Sequence, residues 1–284
     1  MPSMKIIRRR LGSVTTTKKI MKAMHMVAAA KLQKDKARLE AARPFCGSVR
    51  DVIEELKSCP EAEGHRYFQR RAPVRTTAYL VITSDRGLCG GYNTNVAEAA
   101  LLHMDGRNEL IVSAGLRGRD YFKQKGKRIL EGENFGGVSE TAFYEDALRV
   151  SRRLADLYTS GAADEVYVAY TKYLSALTHE CRVERLLPLD RDPKAAPRVD
   201  MRYEGGAAAV LEYAAPLCLS AFVYAALLES SACEQAARMM SMDAAVDSAT
   251  EIGAKLTRMH NRVRQAAITR EIGELVGSAE AHLR

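Results

Sequence analysis

From Ala207 to Arg284 only Pro216, Gly253, Gly273 and Gly277 interrupt a helical pattern. Seventy-odd helical residues, each rising about 1.5 Å, make a rod of roughly 100 Å, which no globular core of this size can hide. Ile252, Leu256, Met259, Val263 and Ala266 recur by fours and threes, the spacing of a coiled-coil seam. Residues 4–58 read as a second long helix. Ile20, Met21, Met24, Val27, Ala28 and Leu32 form its apolar stripe, and Lys18, Lys19, Lys22, Lys31, Lys34 and Lys36 surround it. Pro44 and Gly47 mark a bend, after which Val49, Val52, Ile53 and Leu56 resume the spacing, and Cys59-Pro60 ends the helix. Two long helices with narrow seams at opposite ends of one chain are expected to wrap on each other.

Between them the pattern changes. PEAEGHRYFQRRAPVR (60–75) is polar, basic and unpatterned, and reads as a loop. TAYLVITS (77–84), ELIVSAG (109–115) and DEVYVAYTKY (164–173) are short β-rich runs, with KRILEGENF and ECRVERLLPL as further strand candidates. NTNVAEAALLHM and FYEDALRVSRRLADLYTSG between them are spaced as helices, the second stopping at Gly161. Strand–helix alternation predicts an α/β unit with a mainly parallel sheet. The connector DRDPKAAPRVDMRYEGG (190–206) then leads into the last helix. The expected fold class is α/β plus a long α-helical coiled coil, with antiparallel pairing of the terminal helices and a Rossmann-like lobe inserted between them. The expected divisions are 1–59, 76–189 and 207–284.

Composition agrees with slender helices. The 284 residues include no Trp and only 6% aromatics, and Ala, Met and Leu suit close helix packing. Hydrophobic residues at 47% and charged residues at 27% exclude a disordered chain. The net charge of +8 is uneven, because residues 1–75 hold eighteen Lys/Arg against seven Asp/Glu. An acidic partner should therefore meet that segment first. Nucleic acid is a rival partner through Arg8, Arg9, Arg10 and the lysines. No aromatic residue precedes Phe45, so stacking on single strands is unsupported, and the cations ring an apolar stripe where a phosphate-binding face would gather them on one side. Six scattered cysteines without a CxxC pair read as reduced thiols. No apolar run approaches the eighteen residues of a membrane span, the longest candidate being Pro216 to Leu228. Neither a secretory signal nor a transit peptide is expected at the N-terminus.

SDRGLCGGYN (84–93) follows a strand and precedes a helix, where free backbone N–H groups can cradle a phosphate. Gly87, Gly90 and Gly91 do not make GxGxxG, and no Lys-Ser/Thr pair completes a P-loop, so a tight structural turn is the stronger reading. Asp85 could serve as a general base, and more simply as a turn carboxylate bonded to backbone N–H groups. The six histidines are never spaced as a metal pair, no Ser stands in GxSxG, and no Cys has catalytic company. By its own residues the chain shows no catalytic site, no metal site and no cofactor site.

Three stretches, in order along the chain, resemble γ subunits of F-type ATP synthases. They are IIRRRLGSVTTTKKIMKAMHMVAAAKL near the start, TSDRGLCGGYN (83–93) in the lobe, and ESSACEQAARMMSMDAAVDSATEI with NRVRQAAITREIGELVGSAEA at the end. The resemblance implies a central rotor shaft that couples ion flow through a membrane c-ring to sequential changes in catalytic subunits, and that is not itself catalytic. It implies α and β subunits, an ε subunit and the c-ring as partners, no nucleic acid, and membrane association only through the complex. It also implies a peripheral position on the cytoplasmic face of a bacterial plasma membrane. By motif, Lys22, Met24 and Met26 should face an acidic lever segment of the catalytic subunits. Glu234 and Arg238 should make polar contacts with a catalytic subunit, and Arg264, Gln265 and Thr269 should lie near the inner collar of the ring. Asp85, Gly87, Gly90 and Gly91 are assigned to the structural turn. Ser248, Ser278, His25 and His260 depart from the family pattern as surface tuning. The inserted cysteine pair of chloroplast versions is missing, so Cys181, Cys218 and Cys233 are expected to be structural and thiol regulation is not expected.

Overall fold

The computed structural model describes residues 3–59, 64–131, 135–190, 203 and 206–282. The elements are α1 (Met4–Ser58), β1 (Thr77–Ile82), α2 (Tyr92–His103), β2 (Glu109–Ala114), α3 (Leu116–Gln124), α4 (Val138–Thr141), α5 (Tyr144–Thr159), β3 (Glu165–Tyr173), β4 (His179–Leu187) and α6 (Ala207–His282). Helix α1 passes through Pro44 and α6 through Pro216 without a break. The connector at 190–206 lies almost wholly outside the described residues. The chain divides into two compact units that cut both long helices: Met1–Ala28 with Met239–Arg284, and Ala29–Arg238.

In the first unit the two helices meet along a strict repeat. The covered positions of α1 are Ile7, Leu11, Val14, Lys18, Met21, His25 and Ala28, and those of α6 are Met242, Val246, Ala249, Gly253, Leu256, His260, Val263 and Ala267. Both series advance by four and three, the 3.5-residue period of a left-handed coiled coil. A methyl on Gly253 would stand 4.0 Å from Val14 Cγ1, an ordinary contact distance, which places these two residues opposite each other. This corrects part of the stripe read from the sequence: Met21, Met24, Ala28, Leu32, Leu256 and Val263 are covered or half-buried as expected, and the others are not. Ile252 and Met259 are 48% and 46% exposed, and Ile20 and Val27 are 55% and 57% exposed. The seam is mainly aliphatic, with Gly253, three alanines and two histidines among its Ile, Leu, Val and Met, while Ile20, Val27, Ile252 and Met259 lie on its flanks. His25 and His260 are therefore half-buried seam residues.

The second unit holds the sheet, in the order β2-β1-β3-β4. β1 pairs parallel with β2 and β3, while β4 runs antiparallel to β3. β1 is buried at every residue, as expected for a central strand covered on both faces. One face packs Tyr79, Val81, Ile111 and Tyr167 against Val96 and Ala100 of α2, Met104 just beyond its end, and Phe122 of α3. The other packs Leu80, Val112 and Val168 against Val150 and Leu154 of α5, Ile53 and Leu56 of α1, and Leu211, Ala215 and Val223 of α6. The long helices are thus one layer of the α/β body. Pairing is again antiparallel: Ser231 meets Asp35, and Ala221 meets Cys46.

Two other expectations fail. KRILEGENF does not form a strand; its described residues make only the single bridges Ile111–Ile129 and Ala114–Phe135 beside β2. Helix α6 does contain an eighteen-residue window of mean hydropathy 1.6, enough by composition to cross a membrane. Alanine and small residues raise that average without forming a visible apolar block, and 44% of the window is buried within the protein itself. Helix α5 behaves as expected, with Glu145 and Asp146 in its first turn and Gly161 at φ 80° just beyond its end.

At the end of α2, Tyr79 Oη lies 2.9 Å from His103 Nδ1, and the Tyr167 ring lies 4.6 Å from the imidazole. Burial, and after it the charge of Arg107, push the His103 imidazole below its ordinary value, with Glu165 opposing. The unfolded chain then binds a proton that the folded chain refuses. The contribution of this site is complete above the ordinary histidine value of about 6.5 and is lost as pH falls through it toward the folded value. Thermal melting should show a smaller loss between pH 7.5 and 5.5 for His103→Gln than for the parent.

Candidate functional site

The glycine-rich turn after β1 is a junction of three segments. Asp85 accepts hydrogen bonds from the N–H of Leu116 at 3.0 Å, the N–H of Gly137 at 2.9 Å and the Ser139 hydroxyl at 3.3 Å. It is a structural carboxylate serving the starts of α3 and α4, where orphan N–H groups and the helix dipole favour an anion. Asn93 closes the turn, accepting from Ser84 N–H at 2.8 Å and donating to Cys89 Sγ at 3.2 Å. Gly90 adopts φ 56°, and a methyl on Gly87 would come within 3.1 Å of the Arg117 guanidinium.

Open α/β sheets bind ligands where the strand order reverses at the carboxyl edge. Here that place lies between β1 and β3, and Cys89, Tyr92 and Cys233 fill it, with Tyr173 and Ala237 packed against them. Burial, and then the neighbouring Glu234 charge, push the Tyr92 phenol well above its ordinary value. A buried carboxylate also repels a phosphate. Among the described residues no group of three His, Cys, Asp or Glu is placed to hold a metal.

Glu234 and Arg238 come together with this turn. Arg238 Nη2 lies 2.7 Å from Glu234 Oε1 and also donates to the Gly87 carbonyl at 3.3 Å. Their side chains are only 11% and 5% exposed for Arg238 and Glu234 respectively. Burial raises the Glu234 carboxyl above its ordinary value, and Arg238 partly restores it. Both charges are engaged inside the chain, which leaves little of Glu234 for any other surface.

In the other unit, Lys22 and Met26 are exposed and Met24 is half-buried on α1, while Arg264, Gln265 and Thr269 are exposed on α6. Val14 opposite Gly253 places Lys22 near the start of that unit's part of α6, about 30 Å along the axis from Arg264. These two groups are not one site. Reading by motif missed Asp35, Arg38 and Ser231, which form a polar contact inside the seam. The signal was present: Asp35 stands on the 4-3 repeat between Leu32 and Leu39.

Terminal helices paired antiparallel, a sheet packed on them, and a sheet crevice filled by the chain's own side chains define an α/β body built on a helix pair. Residues 3–282 match the family described as ATP synthase. The ATP synthase gamma chain of Desulforamulus reducens is 39% identical over 284 residues, covering 99% of each chain. That of Acetobacterium woodii, described as sodium ion specific, is 38% identical over 97% of each. The central stalk of the Tetrahymena thermophila mitochondrial ATP synthase is 26% identical and superposes at a TM-score of 0.56, covering 80% of this chain and 99% of that one. A chain of the Euglena gracilis mitochondrial enzyme superposes at 0.68 with 16% identity, over 98% and 94% of the two chains, which shows a shared fold. The chain belongs to the ATP synthase gamma chain family.

Proposed function

We propose that this gamma chain is a non-catalytic rotor, turned by a membrane c-ring and driving catalytic subunits through their states in sequence. Its partners are the α and β subunits that enclose the paired helices, an ε subunit and the c-ring. The complex sits on the cytoplasmic face of the bacterial plasma membrane. Functionally the chain divides at 1–59, 76–189 and 207–284. The observation that carries this reading is the flank of apolar side chains left outside the seam on α6. Ile268, Ile272, Leu275 and Val276 are 47%, 56%, 68% and 54% exposed on one helix, far more than a free soluble helix leaves uncovered. An enclosing partner would cover them. The same reading makes Lys22, Met24 and Met26 one contact group and Arg264, Gln265 and Thr269 another, with Glu234 and Arg238 between them in sequence. Excess positive charge on residues 1–75 supports an acidic partner, since attraction that varies with angle aligns a rotor.

The double variant Arg264→Ala with Gln265→Ala tests the assignment in the reconstituted enzyme. Coupled ATP synthesis should fall several-fold while each catalytic site still binds nucleotide. Unchanged synthesis would remove both residues from the contact surface.

A further inference from the structure

The short helix α4 ends between the sheet and the long helices, and its last carbonyls find no partner within the helix. Arg38 of α1 takes them: Nη1 donates to Thr141 O at 2.9 Å, and Nη2 donates to Ala142 O. The guanidinium also lies over the Phe143 ring, 5.4 Å from its centroid. About two turns earlier on α1, Lys31 Nζ pairs with Glu140 Oε1 at 3.2 Å. Ala142 is completely buried and held at φ 43°, a conformation unusual for alanine. Phe143 leads directly into α5, which packs on the sheet through Val150, Leu154 and Leu157.

The grip is anchored from behind. Asp35, only 8% exposed, accepts from the Ser231 hydroxyl of α6 at 2.8 Å and lies 3.9 Å from Arg38 Nη1. Burial raises its carboxyl above the ordinary value, and the Ser231 bond and then Arg38 oppose the shift. The sheet is held at a second place by α6, through Arg238 to Gly87 O, and through Thr171, whose N–H donates to Ser230 Oγ at 3.4 Å and whose carbonyl accepts from Cys233. Apolar packing of the sheet on α1 and α6 is non-directional, and these polar ties from both helices add fixed direction to it.

We propose that Arg38 is a torque-transmitting positioning residue: with Asp35 and Ser231 behind it, it clamps the α4–α5 corner to the paired helices, so that the α/β body and those helices turn together. This rests on the rotor reading above. A planar fork bonded to two carbonyls fixes an angle, which a lysine ammonium on a flexible stem cannot do.

The test uses the assembled enzyme held at one catalytic dwell, with a bead attached to the α/β body through a biotinylated Leu102→Cys, a position 82% exposed. Bead angular variance reports torsional stiffness. In Arg38→Ala the variance should rise by roughly half, since the corner loses its directional tie while the apolar layer of Ile53, Leu56, Leu211 and Val223 remains, with ATP hydrolysis and subunit content unchanged. Arg38→Lys should fall between, and it carries the test if the alanine variant fails to assemble. Parental variance in an assembled variant would overturn the clamp while leaving the rotor reading intact. Failure of the parent chain to assemble with a hexameric ATPase, or to rotate, would overturn both.

Discussion

Gly115→Ala should destabilise the α/β body by roughly 3 kcal/mol or more, combining a left-handed backbone with an overpacked contact. Gly115 has φ 106°, and a methyl there would lie 2.2 Å from the Thr83 carbonyl oxygen and 2.7 Å from its hydroxyl. Neither neighbour can withdraw. Thr83 N–H is bonded to Ala114 O at 2.8 Å, and its hydroxyl oxygen accepts from Gly118 N–H at 2.9 Å, so strand and helix start are locked in one lattice. Gly126→Ala is the control, since that residue has φ 66° with nothing within 4 Å of the added methyl. It should cost only about 1 kcal/mol, the conformational part alone. Thermal melting of the two variants should separate by several degrees, and equal melting temperatures would mean that the loop around Thr83 yields.

The second large effect is expected from Arg238→Ala. Removing one member of a buried ion pair leaves the other charge without compensation and costs about 3–5 kcal/mol. Glu234 would be that charge, surrounded by Cys89, Tyr92 and Asp85 with no other cation among the causes acting on its carboxyl. Its folded value already stands above the ordinary carboxylate value. A raised carboxyl means the folded state holds the proton longer, so its contribution to stability declines as pH rises from the ordinary value through the folded one. Loss of Arg238 extends that window upward. The gap in melting temperature between parent and variant should therefore be large at pH 7 and shrink near pH 4.5. Adding Glu234→Gln to Arg238→Ala should recover much of the loss at neutral pH. A double variant as unstable as the single one would show that Arg238 acts through Gly87 and not through Glu234.

Much of the architecture is legible in the residues because it depends on local properties. The bounds of α1 follow from helical spacing between Met4 and Ser58, and the β-rich runs at 77–84, 109–115 and 164–173 each contain a strand. The motifs that resemble the family also stand in the sequence itself. Asp85 was read as a turn carboxylate, but its partners Leu116, Gly137 and Ser139 are remote in the chain and only folding names them. Helix α3 is not legible in the sequence because it has nine residues, follows a glycine cap, carries a glycine within, and buries only Gly118 and Phe122.

The covered line of the coiled coil is only partly legible. Met21, Ala28 and Leu32 are covered as their spacing suggests, and Met24 is half-buried. Ile20 and Val27 each stand one residue before a covered position, about 100° round the helix, and so fall on the flank. His25 and Asp35 lie on the covered line because the 3.5-residue repeat selects them in spite of their polarity. Bulk is also a misleading guide, since the 4-3 repeat carries Gly253 and Ala267 on the seam and leaves Ile252 and Met259 on its flank.

By itself the sequence determined the two long helices, the four strands of the sheet and which family the chain joins, because propensity, periodicity and motif are carried by neighbours along the chain. Tertiary structure alone decided which side of each helix is covered, that the long helices form a layer of the sheet's own core, and that Arg38 grips α4 while Arg238 grips the β1–α2 turn. Those choices depend on how closely two backbones approach and which orphan carbonyls remain at the contact, and both are set only when distant segments meet.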